Sequence, residues 1–365
     1  MIYKAIGLMS GSSLDGLDIA YTHFQQTGGK WSYEIIQADC YGYTPEWKNK
    51  LAGATALSAF DYCVLHTAFG HYLAEQVNGF IEAHSLYHQV DLIASHGHTA
   101  FHDPARRLTA QLGDGAALAA GTGLPVVSDL RAMDVALGGQ GAPIVPIGEK
   151  WLLSEYNWLL NLGGIANLSA NKGEEYVAFD VCPANRVLNM LAGTAGKEYD
   201  DEGRMAAAGR VHEALLQELD SLDYYSLPFP KSLANEFGTR VVYPLISKWN
   251  LSVEDALRTY VAHICTQIAR SVQAVQSSGQ QTGESRLLAT GGGALNNFLV
   301  QELQQMLRGL DITLVIPDKN LIQYKEAVIM GLIGVLRWRE EVNVLSSVTG
   351  ARYSSIGGAL WMGHA

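Results

Sequence analysis

The stretch GLMSGSSLDGLD, residues 7–18, lies between the hydrophobic start MIYKAI and the apolar run IAYTHF. Gly and Ser tolerate positive φ and local side-chain bonds, so it reads equally as a tight hairpin turn or as a backbone cradle for phosphate oxygens. Two other stretches bear on that choice. NWLLNLGGIANLSA (157–170) repeats the pattern of apolar run, Gly turn and apolar run. LLATGGGALNNFLVQELQQML (287–307) runs through three glycines into an amphipathic helix, with Phe298, Leu299, Leu303 and Met306 near helical spacing. The first two turns are one strand–turn–strand device used near the start of each half. Such repetition predicts duplicated α/β domains with a cleft between them.

The length agrees, since 365 residues exceed the ~100–200 of an ordinary single domain. Domains over 1–155 and 156–365 follow, joined by a tight hinge because no Pro/Ser-rich linker marks the boundary. Helical stretches are expected around 45–87, 111–121, 203–220, 253–276 and 325–340. The composition is that of a soluble globular protein, 48% hydrophobic and 17% charged, with 38 glycines gathered in particular turns. A formal net charge of −11 argues against a nucleic-acid partner, whose phosphates call for a basic surface. It leaves room for ATP, which a few amides, one cation and a metal ion can hold. Cys40, Cys63, Cys182 and Cys265 lie far apart with no CxxC pair, as reduced thiols in a cytoplasm would. No signal peptide and no apolar run of the ~18 residues needed for a membrane span are evident.

Several segments carry candidate chemistry. No GxxxxGK[ST] occurs, so a P-loop is excluded, and GGGALN (291–296) matches a dinucleotide fingerprint only at Gly291 and Gly293. Asp15 and Asp18, in or behind the first turn, are candidates to hold a hydrated Mg²⁺ or are simple turn residues. In FDVCPANRVLNML (179–191), Asp180 ends an apolar approach and precedes a Pro-containing turn into a helix. It suits either a general base or a cap of that helix. ASHGHTAFHDP (94–104) carries His96, His98 and His102, whose i, i+2, i+6 spacing fits no common zinc motif; a pocket-lining loop is the expectation. In DLRAMDVALGGQGAPIVP (129–146), Arg131 can fork onto a substrate carboxylate or pair internally with Asp129 or Asp134. PFPKSLANEFG (228–238) is a loop bearing Lys231, Ser232 and Glu236, and Lys325–Glu326 opens an apolar helix.

In this order the segments resemble the 1,6-anhydro-N-acetylmuramic acid kinase family of the sugar kinase/Hsp70/actin superfamily. GLMSGSSLDGLD, SHGHT, DLRAMDVALGGQGAPIVP, NLGGIANLS, FDVCPANRVLN, PKS, GGGALNN and KEA are collinear over nearly the whole chain. The resemblance implies an α/β, duplicated actin-like ATPase (ribonuclease H-like) fold hinged over ATP, with Mg²⁺. By it, Gly11, Ser12, Ser13, Leu14, Asp15, Gly16, Leu17 and Asp18 form the first phosphate loop. Gly163, Gly164 and Asn167 belong to the second, and Gly291, Gly292, Gly293 and Asn296 border the adenosine. Asp180 matches the catalytic aspartate, while His98, Arg131 and Glu326 are expected at the sugar. The implied reaction opens the 1,6-anhydro bond with water and phosphorylates O6, giving N-acetylmuramic acid 6-phosphate and ADP during peptidoglycan recycling in the cytoplasm. The resemblance admits a homodimer, although the sequence pattern shows no interface.

Three departures stand out. Ser12 replaces the family's usual Thr, and His98 stands where an amide is usual. The family's DTGPGN is here Asp180-Val181-Cys182-Pro183-Ala184-Asn185. If the two replaced glycines need positive φ or a close backbone approach to ligand, Cys182 and Ala184 would each cost about 1 kcal/mol or more. Two other readings compete with the anhydro-sugar kinase: a related kinase for another sugar, and a nucleotide-switched actin- or Hsp70-like binding protein.

Overall fold

The computed structural model describes residues 1–365 except 12, 173–174, 230, 278–284 and 365. The chain divides into two compact units, one of Met1–Leu153 with Tyr324–Ala365, the other of Ser154–Gln323. Each has its own sheet and its own apolar core.

The first unit begins with an antiparallel meander of β1 (Ile2–Ser10), β2 (Gly16–Thr27) and β3 (Lys30–Gly42). β4 (Leu92–Asp103) then pairs parallel to β1, β5 (Leu108–Leu112) folds back antiparallel on β4, and β6 (Val126–Ser128) pairs parallel to β4. β1 is the inner strand, with Ala5, Ile6 and Leu8 fully buried, as a strand covered on both faces must be. The crossover from β3 to β4 runs through helices Pro45–Ala52 and Ala59–Ala83. Ser58 caps the longer one, its hydroxyl accepting the Asp61 N–H at 3.1 Å. Leu65, Phe69, Leu73, Val77 and Phe80 recur every three or four positions along it and fill the core.

The second unit repeats this order. β7 (Trp158–Leu162), β8 (Ile165–Lys172) and β9 (Glu175–Pro183) form an antiparallel meander. β10 (Ser285–Thr290) pairs parallel to β7, and β11 (Ile312–Val315) parallel to β10. The crossover from β9 includes helix Val253–Ser277, whose Leu257, Tyr260, Val261, Ile264, Ile268 and Val272 are buried. Helix Asn297–Arg308 links β10 to β11. Its buried face is Leu299, Leu303 and Leu307; the expected Met306 is 37% exposed and lies outside it. The common order of three antiparallel and two parallel strands, β3-β2-β1-β4-β6 and β9-β8-β7-β10-β11, is that expected of a duplicated ribonuclease H-like chain.

The expected domains of 1–155 and 156–365 need one correction. The first division is close, but Tyr324–Ala365 belongs to the first unit. Helix Lys319–Trp338 approaches β1 so closely that a Cβ on Gly7 would overlap the Ala327 carbonyl oxygen. Lys325 makes a 2.8 Å ion pair with Glu149, both nearly buried. A last strand, β12 (Ala359–Trp361), extends the sheet antiparallel to β6. The same helix begins six residues before Lys325, so Lys325–Glu326 does not open it.

Candidate active site

In the first unit the hairpin between β1 and β2 is confirmed as a turn. The Leu14 N–H reaches the Gly11 carbonyl at 3.3 Å, and Leu14 holds φ 60°, a left-handed conformation uncommon for a side chain of its kind. Ser12 lies outside the described residues. Ser13 and Asp15 are exposed, whereas Gly16, Leu17 and Asp18 already belong to β2. Leu17 is buried in the core, so its side chain does not reach a ligand. Asp18 is half-buried and is bonded to the Cys40 thiol across the strand pair. Burial pushes its carboxyl up to about 6, against the Cys40 bond, with the charges of Glu326 and Asp15 adding to the rise.

β4 brings His98 beside Ser10 of β1. The Tyr43 hydroxyl donates to Ser10 Oγ at 2.7 Å, and Ser10 Oγ lies 3.1 Å from His98 Nδ1. With its Oγ accepting from Tyr43, Ser10 has its own proton to donate to Nδ1, an arrangement that fits the tautomer protonated at Nε2. Burial lowers the His98 pKa, so the ring is neutral at neutral pH and retains one donor where an amide would present its NH₂.

Arg131 is held from two sides. Its Nε donates to His96 Nε2 at 2.8 Å and its Nη1 to the Gly141 carbonyl at 2.5 Å. His96 donates in turn from Nδ1 to the Gly97 carbonyl, and burial with the neighbouring guanidinium lowers its pKa to about 3. The expected alternative of an internal ion pair is not what forms: among the described residues none joins Arg131 to Asp129 or Asp134. Buried Asp134 accepts the Gly141 N–H at 2.7 Å and the Thr349 hydroxyl at 2.6 Å instead. Gly141 is thereby clamped between Arg131 and Asp134, while Nη2 of Arg131 has no protein acceptor among the described residues. Burial brings the guanidinium down to about 10, still protonated at neutral pH. Glu326 belongs to this unit and is half-buried, and its charge acts on both Arg131 and Asp18.

In the second unit, Asp180 sits within β9 opposite Asn167 of β8, beside a bulge where the register slips between Ala166 and Asn167. The Asn167 side-chain amide donates to Oδ1, and the Leu233 N–H donates to Oδ2 at 2.7 Å. Burial raises the Asp180 pKa against the lowering effect of these two bonds. Capping is ruled out as its role, because helix Asn185–Gly193 starts at Ala184 with no side-chain cap. The chain at Gly163 and Gly164 is tied to that helix instead: their carbonyls accept the N–H groups of Asn185 and Ala184 at 3.0 and 2.8 Å. The Asn185 side chain donates to the Leu162 carbonyl at 2.9 Å and packs at Gly293, so it joins two of the glycine turns. Gly291 has φ 80° and sits against Asn161 and Leu162, while Gly292 and Gly293 enter a short 3₁₀ turn. Asn296 uses its side chain to cap helix Asn297–Arg308 through the Leu299 N–H at 3.0 Å.

The altered motif does not call for a left-handed backbone at its two replaced glycines. Neither Cys182 nor Ala184 has positive φ, and both are buried in the core of the second unit. Among the described residues no group of three or more His, Cys, Asp or Glu side chains could hold a metal ion. The sequence reading missed Tyr43, Ser10, Asn185, Tyr224 and Leu233. The Leu233 contact is made by backbone and leaves no residue-type signature; Asn185 stood in a motif already singled out.

Two units with the same three-plus-two strand order define a duplicated ribonuclease H-like α/β protein, with Gly turns after the first strand of each sheet. The profile of the family "Anhydro-N-acetylmuramic acid kinase" matches residues 3–363. Relatives bearing that name include one from Synechococcus elongatus, 32% identical over 95% of this chain and 96% of its own. Another from Haemophilus influenzae is 31% identical over 98% and 97%, and one from Streptomyces avermitilis is 33% identical over 99% and 95%. The chain belongs to the anhydro-N-acetylmuramic acid kinase family.

Proposed function

We propose that this protein is an ATP-dependent kinase that opens 1,6-anhydro-N-acetylmuramic acid with water and phosphorylates O6. The products are N-acetylmuramic acid 6-phosphate and ADP, and the setting is cytoplasmic recycling of peptidoglycan sugars. The observation that carries the reading is Asp180: a carboxylate of raised proton affinity, oriented by Asn167 and the Leu233 N–H. In the reaction it takes a proton from water as the hydroxyl adds to C1. The C1–O6 bond breaks, O6 bonds to the γ-phosphorus, and the bond to the departing ADP oxygen breaks. The proton on Asp180 then returns to solvent. Basicity raised by burial suits this step.

Gly11–Asp18 of the first unit and Gly163, Gly164 and Gly291–Gly293 of the second supply backbone for phosphate and adenosine. The free Nη2 of Arg131 suits the lactyl carboxylate, the His98 Nε2–H a ring oxygen or amide carbonyl, and Glu326 a sugar hydroxyl. Asp15 and Asp18 fit Mg²⁺. They are hard oxygen donors, Asp18 being raised chiefly by burial and further by the Glu326 and Asp15 charges, and Mg²⁺ usually takes only one or two carboxylates together with phosphates and water. When bound, it offsets charge on the transferring phosphoryl group. No helix among the described residues is long and apolar enough to cross a membrane.

The test is incubation with ATP, Mg²⁺ and the anhydro sugar in ¹⁸O-water, beside Asp180→Asn. Sugar phosphate labelled at C1, formed by wild type and lost by more than about a hundredfold in the variant, is expected. Unlabelled product would mean an ordinary sugar kinase, and no product with both ligands bound would overturn the reading. A variant that kept most of its activity would remove Asp180 as the base.

A further inference from the structure

β9 is the outer strand of its sheet, so a residue whose N–H and C=O point away from β8 must find partners outside the ladder. For Asp180 both partners come from one short segment. Its N–H donates to the Lys231 carbonyl at 2.9 Å, and its own carbonyl accepts the Tyr224 hydroxyl at 2.6 Å. Lys231 closes the figure: its Nζ donates to the Tyr224 carbonyl at 3.1 Å and lies 4.5 Å from the centre of the Tyr224 ring. Asp180, Lys231 and Tyr224 thus form a closed ring of three hydrogen bonds around the peptide groups of Asp180. Two residues beyond Lys231, the Leu233 N–H binds the Asp180 carboxylate itself.

The ring is anchored on its far side. Next to Tyr224, the Tyr225 hydroxyl lies 3.0 Å from His263 Nε2, and His263 Nδ1 lies 2.6 Å from Asp220 Oδ1. Gln267 and Arg270, from the same helix as His263, also bind Asp220, at 2.9 and 3.1 Å. The turn bearing Tyr224 and Tyr225 is therefore fixed to helix Val253–Ser277, a long buried element of the unit's core.

We propose that Tyr224 and Lys231 are positioning residues for Asp180, holding its backbone and, through Leu233, the direction of its carboxylate. The assignment deepens the kinase reading and rests on it for the role of Asp180. Neither residue touches substrate in this account. Their work is to keep the carboxylate pointing one way on an edge strand whose outer side pairs with no further strand among the described residues. A catalytic base displaced by a fraction of an ångström loses rate without losing substrate affinity.

The experiment uses the full-length chain with Tyr224→Phe, Lys231→Met and the conservative Lys231→Arg. It reads kcat and KM for sugar and ATP, thermal stability, and the titration of the Asp180 carboxyl by ¹³C NMR, which needs no turnover. In Tyr224→Phe and Lys231→Met, kcat is expected to fall roughly tenfold or more with both KM values little changed. The Asp180 titration is expected to move upward, because loosening Leu233 removes a donor to the anion. Lys231→Arg should recover most of both. An Asp180 titration matching wild type in both disruptive variants overturns the proposal, whatever happens to stability or rate, since a merely structural role would move only those. Failure of wild type to phosphorylate the sugar would instead refute the kinase reading and leave the titration to decide this one.

Discussion

Asp18 gives the most quantitative prediction. Its carboxyl is raised from an ordinary 3.8 to about 6, chiefly by burial, with Glu326 and Asp15 adding like charge and the Cys40 thiol opposing. Between those two pH values the folded chain keeps a proton that the unfolded chain has released. Stability from this group is therefore full below about pH 4 and is lost as pH rises through about 6. A shift of about 2 units at ~1.36 kcal/mol each sets an upper bound of ~3 kcal/mol. Solvent reaches part of the side chain, so ~1–2 kcal/mol is the better expectation. Asp18→Asn cannot ionise and removes the penalty. Compared with wild type in the absence of nucleotide, the variant should match it at pH 4 and exceed it by ~1–2 kcal/mol at pH 7.5.

A chain of two units need not unfold in one step, so the assay is hydrogen exchange of β1 and β2 peptides across a urea series rather than a single global midpoint. Adding Mg²⁺ and ATP should stabilise wild type more than the variant, because Asp18 then faces a cation rather than two carboxylates. Equal stability of the two chains at pH 7.5, or a wild type that gains on the variant as pH rises, would refute the argument from burial.

Two glycines of similar appearance should behave in opposite ways. Gly291→Ala places a Cβ 2.5 Å from Asn161 Oδ1 and 2.9 Å from the Leu162 carbonyl carbon at φ 80°, and should destabilise the second unit by ~1–3 kcal/mol or more in urea unfolding. Gly164→Ala meets nothing closer than the Arg186 side chain at 3.6 Å and should leave stability unchanged or raised by ~0.4–1 kcal/mol. Its ATP affinity, read by calorimetry, should nevertheless fall if this turn approaches phosphate; unchanged affinity would remove the turn from the cradle. His98→Gln should keep kcat/KM for the sugar within about tenfold of wild type at pH 7.5, since neutral His98 already offers a single donor. The His98 pKa is lowered, so its contribution to stability is complete above about pH 6.5 and is lost as pH falls through the folded value. Abolished turnover in His98→Gln at pH 7.5 would defeat this equivalence.

The two hairpins were legible because Gly, Ser and Asp between apolar runs leave few conformations open. The crossover helices were legible because Leu65, Phe69 and Leu73 keep helical spacing. The destination of the C-terminal helix was not: periodicity says that a helix has an apolar face, not which sheet receives it. The clue lay in Gly7, an unforced glycine in an inner strand, whose missing side chain lets the Ala327 backbone close in. Arg131 shows a different limit. Its charge and neighbours were visible, but the choice between Asp134 and a ligand depended on Gly141, which occupies both Asp134 and one arm of the guanidinium.

The altered motif Asp180–Asn185 illustrates how geometry can survive a change in sequence. Two glycines in a site loop suggest that the loop depends on glycine backbones, and their replacement then suggests damage. Here the conformation of Asp180 is set from outside the motif, by the Lys231 carbonyl, the Tyr224 hydroxyl and the Leu233 N–H. Cys182 points into the core opposite Ala166, and Ala184 starts the helix with its N–H on the Gly164 carbonyl at negative φ. Both added side chains are buried away from solvent and pack in the core of the second unit. A Cys182→Gly change would thus open a void in the core while leaving every hydrogen bond to Asp180 in place. The motif's tolerance and the positioning of its aspartate have the same cause: the edge strand is held by the segment that runs alongside it.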